Sequence, residues 1–431
     1  MAVGETKFAE AETPPEDVLH QLSDAELNDL AFKFACAKRK AEYETNPPPP
    51  YLWDYDYVNN LSKEKKKAFA KAILLHRYYN QHLLSATHFG FVFPQRTKEN
   101  LVLDKPTGTY VLGPKKKVVT SRNINHLKTI ARILWFNDVV IRLIAEGDVS
   151  SLRGIYYWSM NEEHGGGPHT SFEVTKKDHE REGPIAAANF VAMMESLYGV
   201  PHEAFGILPD HRGAVFGDAG IEYVEPPSHA GKHLRLDAIP DGVPATGSLA
   251  LANITSCNAE RIIVVEKGEI FDKMVVKGLD KRYNAILVNS GGTGSTSAKL
   301  VVKKFVDQFK LLPYLLVDAD PWGLHIARTW MVGSAKNGHL RTAIPSAKFL
   351  GMTAKDIIEY GLKRIPLDAQ DKHRIRTLLG DPRYKDDARW RQYLLDYVTL
   401  GAKTELQAFT QHGLGFLTDT YLPTKMEAAG G

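Results

Sequence analysis

Arg153 and Tyr157 lie four residues apart in Ser151-Leu152-Arg153-Gly154-Ile155-Tyr156-Tyr157, so a helix puts them on one face with Tyr156 turned about a third of the way around. Such a pair is equipped to attack a phosphodiester. A tyrosine hydroxyl, with an ordinary pKa of about 10, needs help to become a nucleophile, and a neighbouring guanidinium can hold the phosphate and offset charge in the transition state. Taken alone, the same residues also describe two core tyrosines beside a surface arginine. A second constellation is acidic. Glu266 ends one apolar run, while Asp318 and Asp320 end another on alternate, same-facing positions of an extended segment. Three carboxylates at one edge repel one another unless a hard cation fills the gap, which points to Mg²⁺ and its preference for oxygen ligands. Asp320, just before Pro321, could instead cap the following helix, and Asp272 reads as a solvated helix-face residue.

Other chemistry-bearing residues carry weaker signals. Gly291-Gly292-Thr293-Gly294-Ser295-Thr296-Ser297 permits close approach of a phosphate to backbone, but neither a Gly-Lys-Ser/Thr order nor a dinucleotide fingerprint is completed. Any ATP pocket must therefore come from another subunit. His164 and His169 flank three glycines and read as a hairpin tip, Trp322 reads as packing, and His325, close after the acid pair, could reach a phosphate.

Periodicity indicates the elements that must carry these groups. A helix opens at Ser23, with Glu26 completing a capping box, and stops before the four prolines at 47–50, which favour an extended spacer. A second helix spans 62–84 and opens with Lys63, Lys65, Lys66, Lys67 and Lys71, which oppose the helix dipole and suit either an external anion or a solvated face. Residues 85–120 read as short strands and turns decorated by Lys115, Lys116 and Lys117. A strong amphipathic helix over 125–146 ends at Gly147. Ser150 or Ser151 then caps a short helix carrying Arg153 and Tyr157, another helix follows over 184–197, and strand-like segments lie at 205–208 and 213–216. This order of helix, turn, helix and strand pair is that of a winged helix. Beyond a Pro/Gly-rich bridge, the continuous apolar runs 262–265, 285–288 and 314–317, with a helix over 298–309, form a βαβ pattern with buried parallel strands. The expected organisation is an α/β multidomain chain with an N-terminal extension over 1–60, a winged-helix domain over 61–225, a bridge over 226–249 and a parallel-sheet domain from 250 to 431.

Composition narrows the partners. The 431 residues carry 54 Lys and Arg against 51 Asp and Glu, so an acidic partner must be held by a local basic surface, for which Lys63, Lys66, Lys67, Lys115, Lys116, Lys117, Arg122 and Arg212 are candidates. The two cysteines, Cys36 and Cys257, support neither a disulfide framework nor a zinc ribbon. The sequence holds no apolar run of about 18 residues, and a soluble, cytoplasmic and nucleoid-associated (or nuclear) protein is expected.

The run 151–157, together with Val265-Glu266-Lys267 and Asp318-Ala319-Asp320-Pro321-Trp322-Gly323, resembles the A subunit of type IIB DNA topoisomerases (topoisomerase VI), a family shared with the meiotic double-strand-break transesterase. The first matches that family's catalytic tyrosine motif and the others the two acidic signatures of its Toprim domain. The likeness extends from about residue 65 to the C-terminus, includes His211-Arg212-Gly213, and leaves 1–60 without a transferable role and 164–180 as an insertion. It implies a CAP-like (5Y-CAP) winged-helix domain followed by Toprim, a homodimer gripping double-stranded DNA, and a B subunit with a GHKL-type ATPase that binds ATP within an A2B2 complex. It further implies that Tyr157 becomes linked to a 5′ phosphate, assisted by Arg153, with Mg²⁺ on Glu266, Asp318 and Asp320 of the opposite protomer and His325 near the DNA. The alternatives are a meiotic-type break former without efficient strand passage, a non-catalytic winged-helix DNA binder, and a Toprim nuclease or primase acting without Tyr157.

Overall fold

The computed structural model describes residues 61–162, 165–172, 179–208, 213–292, 294–335, 338–413 and 415–430. The helix expected at Ser23, the prolines at 47–50, His164 and Arg212 lie outside them, as does part of the 164–180 insertion. The chain divides into two compact units, one made of Met1–Gln95 and Pro114–Asp210, the other of Arg96–Gly113 and His211–Gly431.

The first unit begins with α1 (Lys63–Leu84), whose N-cap Ser62 hydroxyl accepts from the Lys65 amide. Phe69, Ile73 and Leu75 are buried on its inner face, and so are Lys65 and Lys71. The Lys71 ammonium donates to the carbonyl of Tyr198, the last residue of the helix His179–Tyr198, so a long apolar stem is buried while its charged head meets a helix C-terminus. The lysine run is therefore no single solvated or DNA-facing stripe: Lys63 is exposed, and Lys66 and Lys67 are half-buried.

After α1 come β1 (Gly90–Pro94), β2 (Leu101–Asp104), β3 (Thr109–Leu112) and β4 (Lys116–Thr120). β1 and β4 pair antiparallel with Phe91 opposite Val119. The β2–β3 hairpin belongs to the second unit, where Leu101 and Tyr110 pack with Val332 and the Tyr110 hydroxyl donates to the Pro382 carbonyl at 3.0 Å. The expected domain over 61–225 is thus interrupted.

α2 (Leu127–Glu146) stops at Gly147, whose φ of +68° is the left-handed cap that glycine supplies without strain. β5 (Ser150–Ser151), α3 (Leu152–Trp158), α4 (His179–Tyr198) and β6 (Ile207–Leu208) complete this unit. Buried Asn137 of α2 ties three helices together, its amide donating to the Ala72 carbonyl at 2.9 Å and accepting from the Tyr198 hydroxyl at 2.6 Å. Asn137→Ala removes both bonds and takes the acceptor from the buried Tyr198 hydroxyl. A loss of about 2–4 kcal/mol is expected in denaturant unfolding of the full chain.

The expected pairing of 205–208 with 213–216 does not form. β6 runs parallel to β5, and β7 (Ala214–Phe216) joins the main sheet of the second unit, with Val215 buried opposite Val288. A fully apolar Val215 is better covered inside a sheet than on an exposed hairpin. The second unit consequently starts well before the boundary expected near 250.

There follow β8 (Ala219–Glu222), β9 (His233–Arg235), β10 (Val243–Pro244), β11 (Asn253–Cys257), β12 (Arg261–Val265), α5 (Gly268–Val276), β13 (Ala285–Asn289), α6 (Thr296–Phe309), β14 (Leu312–Leu316), α7 (Pro321–Val332) and β15 (Lys348–Gly351). The main sheet has the order β10-β7-β13-β12-β14-β15. β12 is parallel to both β13 and β14, with Val264 facing Val288 on one side and Leu315 on the other. The three apolar runs are thus the buried parallel strands their sequences demand, with β15 added in parallel and β7 antiparallel at the other side. β11, β8 and β9 form a separate small sheet, and α8 (Ala369–Leu379) and α9 (Ala388–Leu400) lie in the C-terminal part. Among the described residues no helix is long and apolar enough to cross a membrane.

Candidate active site

α3 is short but firmly started. The Ser151 hydroxyl accepts from the Gly154 amide at 2.9 Å, and β5 just before it is paired with β6. From that start the helix turns Ile155 and Tyr156 into the core, while Arg153 and Tyr157 emerge together on the other face. Tyr157 is 55% exposed, and Tyr156 only 6%. The two rings meet edge to face with centroids 5.1 Å apart. Gly183 of α4 lies against the Tyr156 ring so closely that a Cβ there would collide with it, which fixes the buried tyrosine beneath the exposed one. The pair of core tyrosines allowed by the sequence is therefore one core tyrosine and one presented outward.

The acids occupy the carboxyl edge of the parallel sheet in the second unit. Glu266 follows β12 directly, and its amide donates to the Leu316 carbonyl of β14 at 3.2 Å. Its own carboxylate accepts from the Asp318 amide at 3.3 Å, which draws the ends of the two strands together. Asp318, only 5% exposed, accepts from the Leu406 amide at 2.8 Å and forms an ion pair with the Lys267 ammonium at 2.9 Å. Asp320 caps α7, accepting from the Gly323 amide at 2.5 Å, as its place before Pro321 allows.

Burial raises all three carboxyls, and the charge of Asp318 adds to the rise of the other two. Burial first, and then the charge of Asp318, push the Glu266 carboxyl up to about 7 from 4.5. Burial raises Asp320 to about 6 despite the Gly323 amide, with Asp318 adding to the rise. Asp318 is also raised by burial, against the Leu406 amide and Lys267. Half-buried to buried, mutually repelling oxygen donors at one sheet edge are the chemistry a hard divalent cation suits, and the ammonium drawn onto Asp318 shows the edge attracting positive charge. The chemistry of the donors suits Mg²⁺, but the three carboxylates direct oxygens to backbone amides and Lys267, and their ligand atoms do not all come within 4.8 Å of one another.

The raised carboxyls have a stability consequence. A group held at about 7 in the fold against 4.5 ordinarily favours the protonated folded state, withholding on the order of 3 kcal/mol once ionised. In EDTA the melting temperature should therefore fall as pH rises from about 5 to about 8, and Glu266→Gln should flatten that slope.

The remaining candidates are dispersed. Lys115, Lys116 and Lys117 are exposed at and beside β4, and Arg122 is exposed shortly after it. His325 is partly buried near the Tyr384 hydroxyl, 3.4 Å away, and burial together with Arg383 and Arg374 pushes it down to about 3. It is uncharged at neutral pH and supplies no cation for phosphate. Trp322, expected as packing, is 40% exposed, with the Arg374 guanidinium 3.6 Å above its ring. Behind the glycine-rich segment, Lys299 is buried against Trp330, and burial with Arg383 pushes it down to about 8. Asp272 is exposed on α5.

Two groupings escaped the sequence. Glu195, His202 and Glu203 have ligand atoms all within 4.8 Å of one another. Here Glu195 accepts from the His202 amide at 2.9 Å and pairs with its ring at 2.5 Å, so the cluster latches the end of α4 to the turn that follows. The other is the contact of Lys267 with Glu405 at 2.8 Å, across 138 residues of chain. The first lies within nine residues of chain, as a Glu and a His-Glu pair seven positions on, whereas the second has no local spacing that could have signalled it.

The family model for the Toprim domain of the topoisomerase 6 A subunit and Spo11 matches residues 261–426, which contain the whole acid edge. The A subunit of type 2 DNA topoisomerase 6 from Methanothermobacter thermautotrophicus is 31% identical over 341 residues, covering 78% of this chain and 90% of its own. The proteins of that name from Methanosarcina barkeri and Haloarcula marismortui are each 27% identical, over 78% of this chain and 88% and 89% of theirs. With the acid edge inside a Toprim domain and nine-tenths of a relative's length covered, this chain belongs to the family of type 2 DNA topoisomerase 6 A subunits.

Proposed function

We propose that this chain is the DNA-cleaving A subunit of an ATP-dependent type IIB topoisomerase, which opens a transient double-strand break through a 5′-phosphotyrosyl bond and lets a second duplex pass. The observation that carries the proposal is the outward presentation of Tyr157 beside Arg153 on α3, in a chain whose other unit holds one buried and two half-buried carboxylates at one sheet edge. α2, α3 and α4 with the basic β1–β4 ribbon act as the winged-helix (5Y-CAP) body, and Lys115, Lys116, Lys117 and Arg122, with Lys63, Lys66, Lys67 and Arg212, hold DNA through phosphates rather than bases.

In the proposed step the Tyr157 oxygen attacks a backbone phosphorus in line. The new bond joins that oxygen to phosphorus, the bond to the 3′ oxygen breaks, and the phenolic proton is balanced by the one the leaving 3′ hydroxyl gains. Arg153 holds the phosphoryl oxygens and offsets their charge. Glu266, Asp318 and Asp320 of the opposite protomer would hold Mg²⁺, which supplies Lewis-acid stabilisation of the phosphate or the departing oxygen. Reversal restores the strand, because the phosphotyrosyl bond conserves the diester. Two copies of this chain form the core, and a GHKL-type B subunit binds and hydrolyses ATP.

The test is copurification with the native partner, followed by a relaxation and decatenation assay and mapping of the residue left on denaturant-trapped DNA. ATP-dependent relaxation with Tyr157 on the 5′ ends is the expected result. Tyr157-linked ends without relaxation would assign a break former instead, and relaxation with another residue attached would remove Tyr157 from the chemistry.

A further inference from the structure

Lys267 sits one residue after Glu266, and its ammonium is shared. It lies 2.9 Å from Asp318 Oδ2, 2.8 Å from Glu405 Oε2 and 3.2 Å from Gln407 Oε1. The Gln407 amide is oriented for this role, since its nitrogen donates to Glu269 at 3.1 Å and so leaves the oxygen facing Lys267. The segment that brings Glu405 and Gln407 is fixed to the acid edge by backbone, through Thr404 to Ala319 at 3.0 Å and Leu406 to Asp318 at 2.8 Å. Glu405 itself is 57% exposed, whereas Asp318 is deeply buried, so the two carboxylates offer the same ammonium a wet and a dry partner.

We propose that Lys267 is a built-in competitor for the divalent cation at Asp318, and that Glu405, with Gln407, is the position to which it withdraws when the ion binds. This rests on the assignment of Glu266, Asp318 and Asp320 as the ion's ligands. An ammonium and a divalent ion on one carboxylate repel each other, the more so when the lysine stays on the oxygen the ion would take. Lys267 keeps two of its three partners on leaving Asp318, so displacement needs only a swing of its flexible stem rather than desolvated exposure of a charge. The arrangement lowers affinity for the ion while holding Asp318 in place. It also makes Glu405 a positioning residue, acting on the ion through Lys267 and not as a ligand.

Mn²⁺ titrated calorimetrically into the full-length chain tests this without reference to cleavage. Wild-type protein should bind, and Glu266→Gln should not; equal binding by both would show that the ligand assignment itself is wrong. Given that binding, Lys267→Met should tighten Mn²⁺ by about tenfold or more, and Glu405→Gln should weaken it severalfold by leaving the ammonium fully on Asp318. The double variant should match Lys267→Met, because Glu405 acts only through the lysine. An unchanged or weakened affinity in Lys267→Met overturns the competitor. A double variant whose shift is the sum of the two singles reduces Glu405 to a general field effect, and one that loses binding makes it a ligand; either overturns its positioning role. Should Lys267→Met melt too low to titrate, Glu405→Gln alone decides, since unchanged affinity there refutes the withdrawal position.

Discussion

Tyr157→Phe is expected to abolish covalent attachment of the protein to DNA while leaving its fold and DNA affinity intact. The ring is 55% exposed, and among the described residues no hydrogen bond holds its hydroxyl, so removing that oxygen should change stability by no more than about 0.5 kcal/mol. The edge-to-face contact with Tyr156 involves the ring and survives in phenylalanine. What disappears is the atom that bonds to phosphorus. No group next to it on α3 can replace that atom: Arg153 is an electrophilic partner, and Tyr156 is buried with α4 pressed on its ring. Trapped cleavage should fall on the order of 10⁴-fold or more, as when nucleophiles are removed elsewhere. The measurement is denaturant-trapped product on supercoiled plasmid alongside a salt-dependent filter-binding curve. Normal levels of linked DNA in the variant would remove Tyr157 from the mechanism, and a parallel loss of binding would recast it as a contact residue.

Glu266→Gln should separate activity from stability in opposite directions. The carboxyl is held up at about 7 by burial and Asp318, so at pH 8 an ionised Glu266 costs the folded state free energy that the neutral amide does not. Without added metal the variant should melt at or above the wild-type temperature at that pH. Yet cleavage should fall about 10²-fold or more, because one of the three carboxylates proposed to hold Mg²⁺ has lost its charge. Asp318→Asn is a less clean companion, since it also loosens Lys267 and the Leu406 amide. A Glu266→Gln protein that cleaves normally across a Mg²⁺ titration would dismiss the acid edge as the ion site. One that melts well below wild type would mean that the carboxylate is a structural hydrogen-bond acceptor for the Asp318 amide.

Much of the site was legible because it depends on local spacing. A four-residue step from Arg153 to Tyr157 puts them on one helical face, and Ser151 with Gly154 supplies the cap that starts the helix. Short, uninterrupted apolar runs at 262–265, 285–288 and 314–317 are stable only as strands covered on both faces, which places the acids that follow them at one carboxyl edge. The lysine-rich start of α1 misled for the opposite reason. Charge alone suggested an outward stripe, but long stems let Lys65 and Lys71 lie inside, where Lys71 reaches a helix C-terminus contributed from well over a hundred residues later.

The sequence by itself determined the chemistry on offer: a tyrosine hydroxyl and a guanidinium on one helix face, and three acids at strand ends. These follow from helix and strand periods, which act over a few residues. Only the tertiary structure decided that β7 would leave its supposed hairpin for the parallel sheet, that the β2–β3 hairpin would join the second unit, and that Lys267 would meet Glu405. Those pairings are chosen by which distant surfaces bury best against one another and which charges then find partners, and no spacing along the chain encodes that choice.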